Sequence, residues 1–259
     1  MMMMNEKKVV PNPSPFVAFA LDHADYYHGL CQKASSGLHQ QIEYFIKNYV
    51  LSLRHYEKSI RVLDWGAGEG ALSLRLSHLG FDVTSVDVNE SQFKADGVKF
   101  ISLDFNNEND VDSFVSENNG FDIIVAIEAI EHIRDPWIFL INLRKMCSQD
   151  GVAIITTPNV ASWMGRIYFL FTGELWGFGP NCWLDPGHVN PLTDGKFECL
   201  ASETGFELLG RAAGGTLPVL WLCNWKRFFA SIFAFPLRIL QKGRLDGWVT
   251  IYLLRPKNE

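Results

Sequence analysis

Arg61-Val62-Leu63-Asp64-Trp65-Gly66-Ala67-Gly68-Glu69-Gly70 is the most informative stretch of this chain. It begins as a buried strand that closes on an acid, turns on glycines and then opens a helix. A second acid, Asp87, ends the alternating run Phe81-Asp82-Val83-Thr84-Ser85-Val86-Asp87. Glycines serve such a turn because the backbone must adopt positive φ and let a ligand lie against it with no Cβ in the way. An acid at the end of the next strand suits a grip on ribose hydroxyls. Together they imply a nucleoside cofactor.

Two cofactors compete. Gly66, Gly68 and Ala71 satisfy the loose pattern G-x-G-x-x-G/A, with Asp87 about 20 residues on, as an NAD site has it. Asp64 argues otherwise. A carboxylate directly before the loop crowds a pyrophosphate but holds a cationic amino group well. The third strand, Lys99 to Ser102, is followed by Asp104 and Phe105, an acid for the exocyclic amine of adenine and an apolar face for its ring. Acids after three successive strands, with no phosphate-binding cation, describe a zwitterionic sulfonium nucleoside, S-adenosylmethionine.

The same residues carry a resemblance. Val62 to Gly70, Ser85-Val86-Asp87-Val88, Leu103-Asp104-Phe105 and Phe121 to Ile133 resemble the ordered motifs of class I S-adenosylmethionine-dependent methyltransferases. Glu128-Ala129-Ile130-Glu131-His132-Ile133-Arg134-Asp135-Pro136 and Thr157-Pro158-Asn159 resemble the branch that includes the ubiquinone-biosynthesis O-methyltransferases. The likeness covers roughly residues 20 to 212, and beyond it the chain departs from the pattern. It implies a cofactor site of Asp64, Gly66, Ala67 and Gly68 around the methionine moiety, and of Asp87 and Val88 at the ribose. Asp104 and Phe105 would meet adenine, and Ile127 and Glu128 would lie below the sulfonium. Tyr26 and Tyr27 are expected to close the site from the N-terminal side.

At 259 residues the chain can bury one large core, roughly 70–75% of its unfolded surface. Alternating strand and helix patterns predict an α/β fold. It is a Rossmann-like, doubly wound, mainly parallel seven-stranded sheet with helices on both faces and an inserted lid. Strands are expected at 60–64, 82–87, 99–102, 121–126, 151–156, 206–212 and 248–255. Helices are expected at 34–53, 69–79, 110–117 and 136–147, the last capped by Asp135 with Pro136 at its first position. Thr193 is expected to cap a helix that Gly205 stops. Residues 1–55 form an N-terminal helical cap in this reading, and 56–259 the main domain.

Two connections are longer than ordinary loops, which rarely exceed about 12–15 residues. The first, 158–191, holds Trp163, Tyr168, Phe169, Phe171, Trp176, Phe178 and Trp183, and is expected to act as a lid over an apolar or aromatic acceptor. The second, 216–247, is aromatic and basic. Residues 217–244 carry five Lys or Arg and no acid, which suits a helix in a membrane interface, a homodimer contact or a cap.

The net charge of −6 divides unevenly: seven basic and two acidic residues from Leu217 onward give +5, leaving −11 for residues 1–216. That acidity excludes a broad nucleic-acid surface. No apolar run reaches the roughly 20 residues of a membrane span. Met1 to Val10 lacks the apolar core of a signal peptide, and the five scattered cysteines outline neither a disulfide framework nor a zinc site. A cytoplasmic enzyme, with peripheral membrane contact left open, is expected.

For chemistry, His132 and His188 are the candidate bases for an acceptor's proton, with Glu128 beside them. Glu128, Glu131 and His132 together offer a donor set for Mg²⁺, which the resemblance to the quinone branch supports. The reading is methylation of a small apolar or aromatic molecule at oxygen. A sugar or lipid-linked glycan acceptor is the alternative within the fold. An NAD-dependent oxidoreductase or a non-catalytic ligand-binding protein are the alternatives of other classes.

Overall fold

Seven strands carry the alternation that the sequence shows, and each sends neighbouring side chains to opposite faces of one sheet. In the computed structural model the described residues are 17–18, 25–48, 50–52, 59–215, 217, 219–222, 225–241 and 246–257. The expectations for Met1–Val10, for positions 49 and 53 of the 34–53 helix and for Cys223 lie outside them. The strands are β1 (Arg61–Trp65), β2 (Asp82–Asp87), β3 (Lys99–Ser102), β4 (Phe121–Ala126), β5 (Cys147–Pro158), β6 (Phe206–Gly214) and β7 (Val249–Pro256). Their order is β3-β2-β1-β4-β5-β7-β6. The first five run parallel, and β7 lies antiparallel between β5 and β6. The strand order reverses between β1 and β4, which places a ligand crevice at their carboxyl ends.

Helices cover both faces. Over one face, α3 (Glu108–Glu117), α4 (Pro136–Met146) and α6 (Asp194–Glu203) bury Phe114, Leu143 and Phe197 against Leu63, Ile124 and Tyr252. Over the other, α1 (Leu38–Asn48) and α2 (Ala71–Ser77) bury Ile42, Ile46 and Leu76 against Val62, Ile123 and Ile251. The helix that the sequence assigns to a cap over residues 1–55 therefore shares the core of the sheet. Residue pairs such as Val62/Leu63 and Ile123/Ile124 split between the two cores, as the two-residue period of a strand requires.

Local chemistry sets the boundaries. The Asp135 carboxylate accepts from the backbone N–H of Trp137 and Ile138, and the Thr193 hydroxyl from that of Lys196. Gly205 ends α6 with φ +79°. α2 starts later than the expected residue 69, because Gly66, Gly68 and Gly70 all have positive φ and hold residues 66–70 as a turn. β5 starts earlier than expected, at Cys147, through a register shift against β4.

Both long connections contain a helix, α5 (Trp163–Thr172) and α7 (Trp225–Leu240). These two meet each other, with Trp163, Leu217 and Ala234 forming a small core of their own. Val17–Ala18 pairs in parallel with Leu220–Trp221, tying the N-terminal segment to the second connection. Among the described residues, no helix is long and apolar enough to cross a membrane, and Cys31, Cys147, Cys182 and Cys199 are free thiols.

Candidate active site

A cavity of about 490 Å³ opens at the carboxyl ends of β1, β2 and β4, within the roughly 300–1,000 Å³ of small-ligand sites. Its wall contains Asp64, Gly66, Ala67, Gly68, Asp87, Val88, Asp104, Phe105 and Ile127 from the expected cofactor site. Glu128 and His132 line it as well.

The glycine turn shapes the floor. Gly66 has φ +91°, and a Cβ there would stand 3.0 Å from the Ala129 Cβ; Gly68 has φ +56°. At Gly70, φ +86°, an added Cβ would meet Ala95 and Phe93 at 2.6 Å. The Gly68 N–H donates to the Asp87 carboxylate at 2.8 Å and the Asn89 N–H at 3.2 Å, so the loop and the acid orient each other. A carboxylate has about four acceptor positions, which leaves capacity for ribose hydroxyls. Asp104 accepts from the Asn106 N–H at 2.9 Å. Phe105 stacks on buried Trp65 with ring centroids 5.0 Å apart, which fixes the ring at the cavity wall.

Asp64 is only 1% exposed, and the Ser73 hydroxyl of α2 donates to it at 2.5 Å. Burial, reinforced by the nearby Asp87, pushes its carboxyl up to about 7 against the opposing Ser73 hydrogen bond. Glu128 has its carboxyl pKa raised by burial as well. Its oxygen accepts from the Ser35 N–H at 3.1 Å, and its own N–H donates to the Thr156 hydroxyl at 2.9 Å. With φ +50°, Glu128 is a non-glycine residue in the left-handed region, a strained conformation of the kind that gathers at functional sites. Buried Asp64 and the further carboxylates beside a glycine cradle, with an aromatic ring beyond them, fit a cationic nucleoside such as S-adenosylmethionine. Asp64 would meet its ammonium group, Asp87 its ribose, and Asp104 with Phe105 its adenine.

Both candidate bases come together. The His132 and His188 rings meet edge to face, centroids 4.9 Å apart. His132 stands in the cavity wall, while His188 packs behind it against Phe178. The Gly177 carbonyl lies 2.9 Å from His188 Nδ1, so that nitrogen donates to it. Burial first, then His188, lowers the His132 pKa. The Val189 and Asn190 N–H groups donate to the Glu131 carbonyl and tie the loop of His188 to the turn of His132.

The donor set differs from the one expected. The convergent atoms belong to Glu131, His132 and His188, all within 4.8 Å of one another, and Glu128 is not among them. A short helical turn at Ile130–His132 directs Glu131 inward, while Ser35 holds Glu128 elsewhere. Glu131 is fully buried, and burial followed by the Glu128 charge pushes its pKa well above the carboxylate range, against the smaller opposing pull of the Thr157 hydroxyl. Two imidazoles and one carboxyl do not suit Mg²⁺, which takes oxygen donors.

Other departures are informative. Tyr26 is 63% exposed, and Tyr27 turns onto α2, where its hydroxyl meets His78 at 2.9 Å and Arg75 lies over its ring. Neither tyrosine lines the cavity. The reason is the tight Tyr27–Leu30 turn, with His28 and Gly29 at positive φ. Gln32, Lys33 and His39 close that side instead. Of residues 158–191, only Pro186 lines this cavity; Trp163, Tyr168, Phe171 and Trp176 line a second pocket against α7.

A methyltransferase-domain family model matches residues 38–210. The chain is similar to the ubiquinone biosynthesis O-methyltransferase of Rickettsia akari (strain Hartford), 29% identical over 126 residues that cover 46% of this chain and 48% of that protein. It is 31% identical over 107 residues to the protein of the same name from Caulobacter sp. (strain K31), covering 39% of this chain and 42% of that one. The match thus spans about half the length of these curated relatives. A solved S-adenosylmethionine-dependent methyltransferase from Archaeoglobus fulgidus aligns with a TM-score of 0.56 and 14% identity, over 83% of this chain and 93% of that one. Magnesium protoporphyrin IX methyltransferase (ChlM) of Synechocystis PCC 6803 aligns at 0.54 and 14% identity, over 86% and 84%. At such identities the structural likeness establishes the fold. Motif order, sheet topology and the family match agree, and the chain belongs to the class I S-adenosylmethionine-dependent methyltransferases.

Proposed function

We propose that this chain methylates a small apolar or aromatic acceptor at oxygen, with His132 as the base. Bound S-adenosylmethionine supplies a methyl group already activated on its sulfonium. What remains for the protein is to hold the acceptor in line and to take its proton; proximity and orientation supply about 7–11 kcal/mol in favourable cases. The observation that carries the reading is His132 in the cavity wall, backed by His188. A lowered pKa keeps the His132 imidazole neutral near pH 7 and able to accept a proton. His188, held by the Gly177 carbonyl, is a positioning residue that fixes the plane against which His132 packs. Relatives named as O-methyltransferases support oxygen as the methylated atom.

The experiment is turnover with phenols, catechols and aliphatic alcohols, read as formation of the demethylated cofactor. O-methylation of a phenol that falls about 10²–10⁴-fold in His132→Gln supports the proposal. Full activity in that variant contradicts His132 as base, and transfer only to nitrogen or carbon acceptors contradicts the oxygen assignment.

A further inference from the structure

Beyond residue 210, where the family match ends, the chain builds a surface that its own core does not explain. α7 is inverted. Ser231 and Ala234 are buried against the protein, whereas Trp225, Phe229, Phe233, Ile239 and Leu240 are between 62% and 76% exposed. A helix held only by its own domain does the reverse, turning its apolar stripe inward. Beside it, α5 exposes Phe169, Leu170 and Phe171. An apolar recess of about 420 Å³ lies between the helices, lined by Trp163, Ile167, Phe171, Trp176, Ala234 and Trp248. Contiguous apolar surface on this scale marks an interaction site.

Charge identifies the occupant. Residues 217–244 hold five basic side chains and no acid. Lys226 is exposed beside Trp225, its Nζ 5.7 Å from the ring centroid, and Arg238 pairs with Asp246 at the other end of α7. A second copy would bring the same segment, whose residues 217–244 carry no acid to set against Lys226. An anionic leaflet meets both needs, because apolar side chains enter its interfacial zone and each basic residue there contributes about 1 kcal/mol.

We propose that α5 and α7 form one docking surface for an anionic lipid bilayer, lying in its interface without crossing it. The surface adjoins the histidine pair. Trp176 lines the recess and stacks on Trp248 with centroids 5.5 Å apart, and the next residue, Gly177, holds His188. Docking does not depend on the catalytic reading, so either can fail alone.

The test is co-sedimentation of the full chain with phosphatidylcholine vesicles, with and without phosphatidylserine, and with chain-brominated phosphatidylcholine as a quencher of tryptophan fluorescence. Expected are pelleting that depends on phosphatidylserine, quenching by the brominated chains, and about a hundredfold weaker partition for Phe233→Asp/Leu240→Asp, about tenfold per side chain. Both side chains are exposed, and an unchanged melting temperature confirms that the variant folds. Two results overturn the proposal. One is absence of binding to either vesicle. The other is a dimer in sedimentation velocity that the same variant dissociates, which would assign the surface to a second copy.

Discussion

Replacing Asp64 with asparagine keeps the shape of a fully buried group and its contact with Ser73 while removing its charge. If this carboxylate receives the ammonium group of S-adenosylmethionine, the variant loses a charge-assisted hydrogen bond of about 1.5–3 kcal/mol, roughly a ten- to hundredfold loss of affinity. Protons give the prediction a second edge. Asp64 is pushed up to about 7 without ligand. It is then about one-tenth ionised at pH 6 and nine-tenths at pH 8, so affinity for a cation rises about tenfold between them. Glu128, also raised by burial, adds to the rise where it faces the ligand. Stability runs the opposite way. The native state holds a proton that the unfolded chain releases near pH 4, so the contribution of Asp64 falls as pH rises from about 4 to 7 and is flat above. Asp64→Asn should therefore melt higher than the parent at pH 8 while binding more weakly. The assay is calorimetric titration at pH 6, 7 and 8 in buffers of different ionisation enthalpy, which also reads proton release on binding. Affinity that is flat with pH, together with unchanged binding in Asp64→Asn, would refute the reasoning.

Further outcomes follow from the same geometry. His132→Ala should lower kcat about 10²–10³-fold and leave the dissociation constant for S-adenosylmethionine within about twofold, as pre-steady-state and binding measurements would show. Gly70→Ala, at φ +86° with Phe93 and Ala95 at 2.6 Å from the new Cβ, should cost about 2–4 kcal/mol in denaturant unfolding. Thr156→Val removes the acceptor for the Glu128 N–H and should cost about 1–3 kcal/mol, with an unchanged denaturant slope.

Much of the scaffold was legible because its signals are local. Asp135 and Thr193 cap helices through amides two or three residues on, and Gly205 stops α6 by its own φ. Motif spacing foretold that Asp64, Asp87 and Asp104 share one cavity because each follows a strand end, and parallel strands deliver their ends to one edge. What escaped was produced by distance in the chain. Ser35 reaches Glu128, and Lys33 and His39 reach the cavity, only after α1 packs on the sheet. His132 and His188 were both candidate bases, but their ring contact arises only where Val189 and Asn190 bind the Glu131 carbonyl. The aromatics of 158–191 announced an unusual segment, but composition alone does not say that they face α7 rather than the cofactor cavity. The positive φ of Glu128 has no sequence signature at all.

The central claim is that the cavity at β1, β2 and β4 takes a sulfonium nucleoside. Its most direct test is calorimetric titration of the purified protein with S-adenosylmethionine, its demethylated product and NAD, with Asp87→Ala as control. Micromolar binding of the first two, lost in the control, is the predicted result. Binding of NAD alone would contradict it.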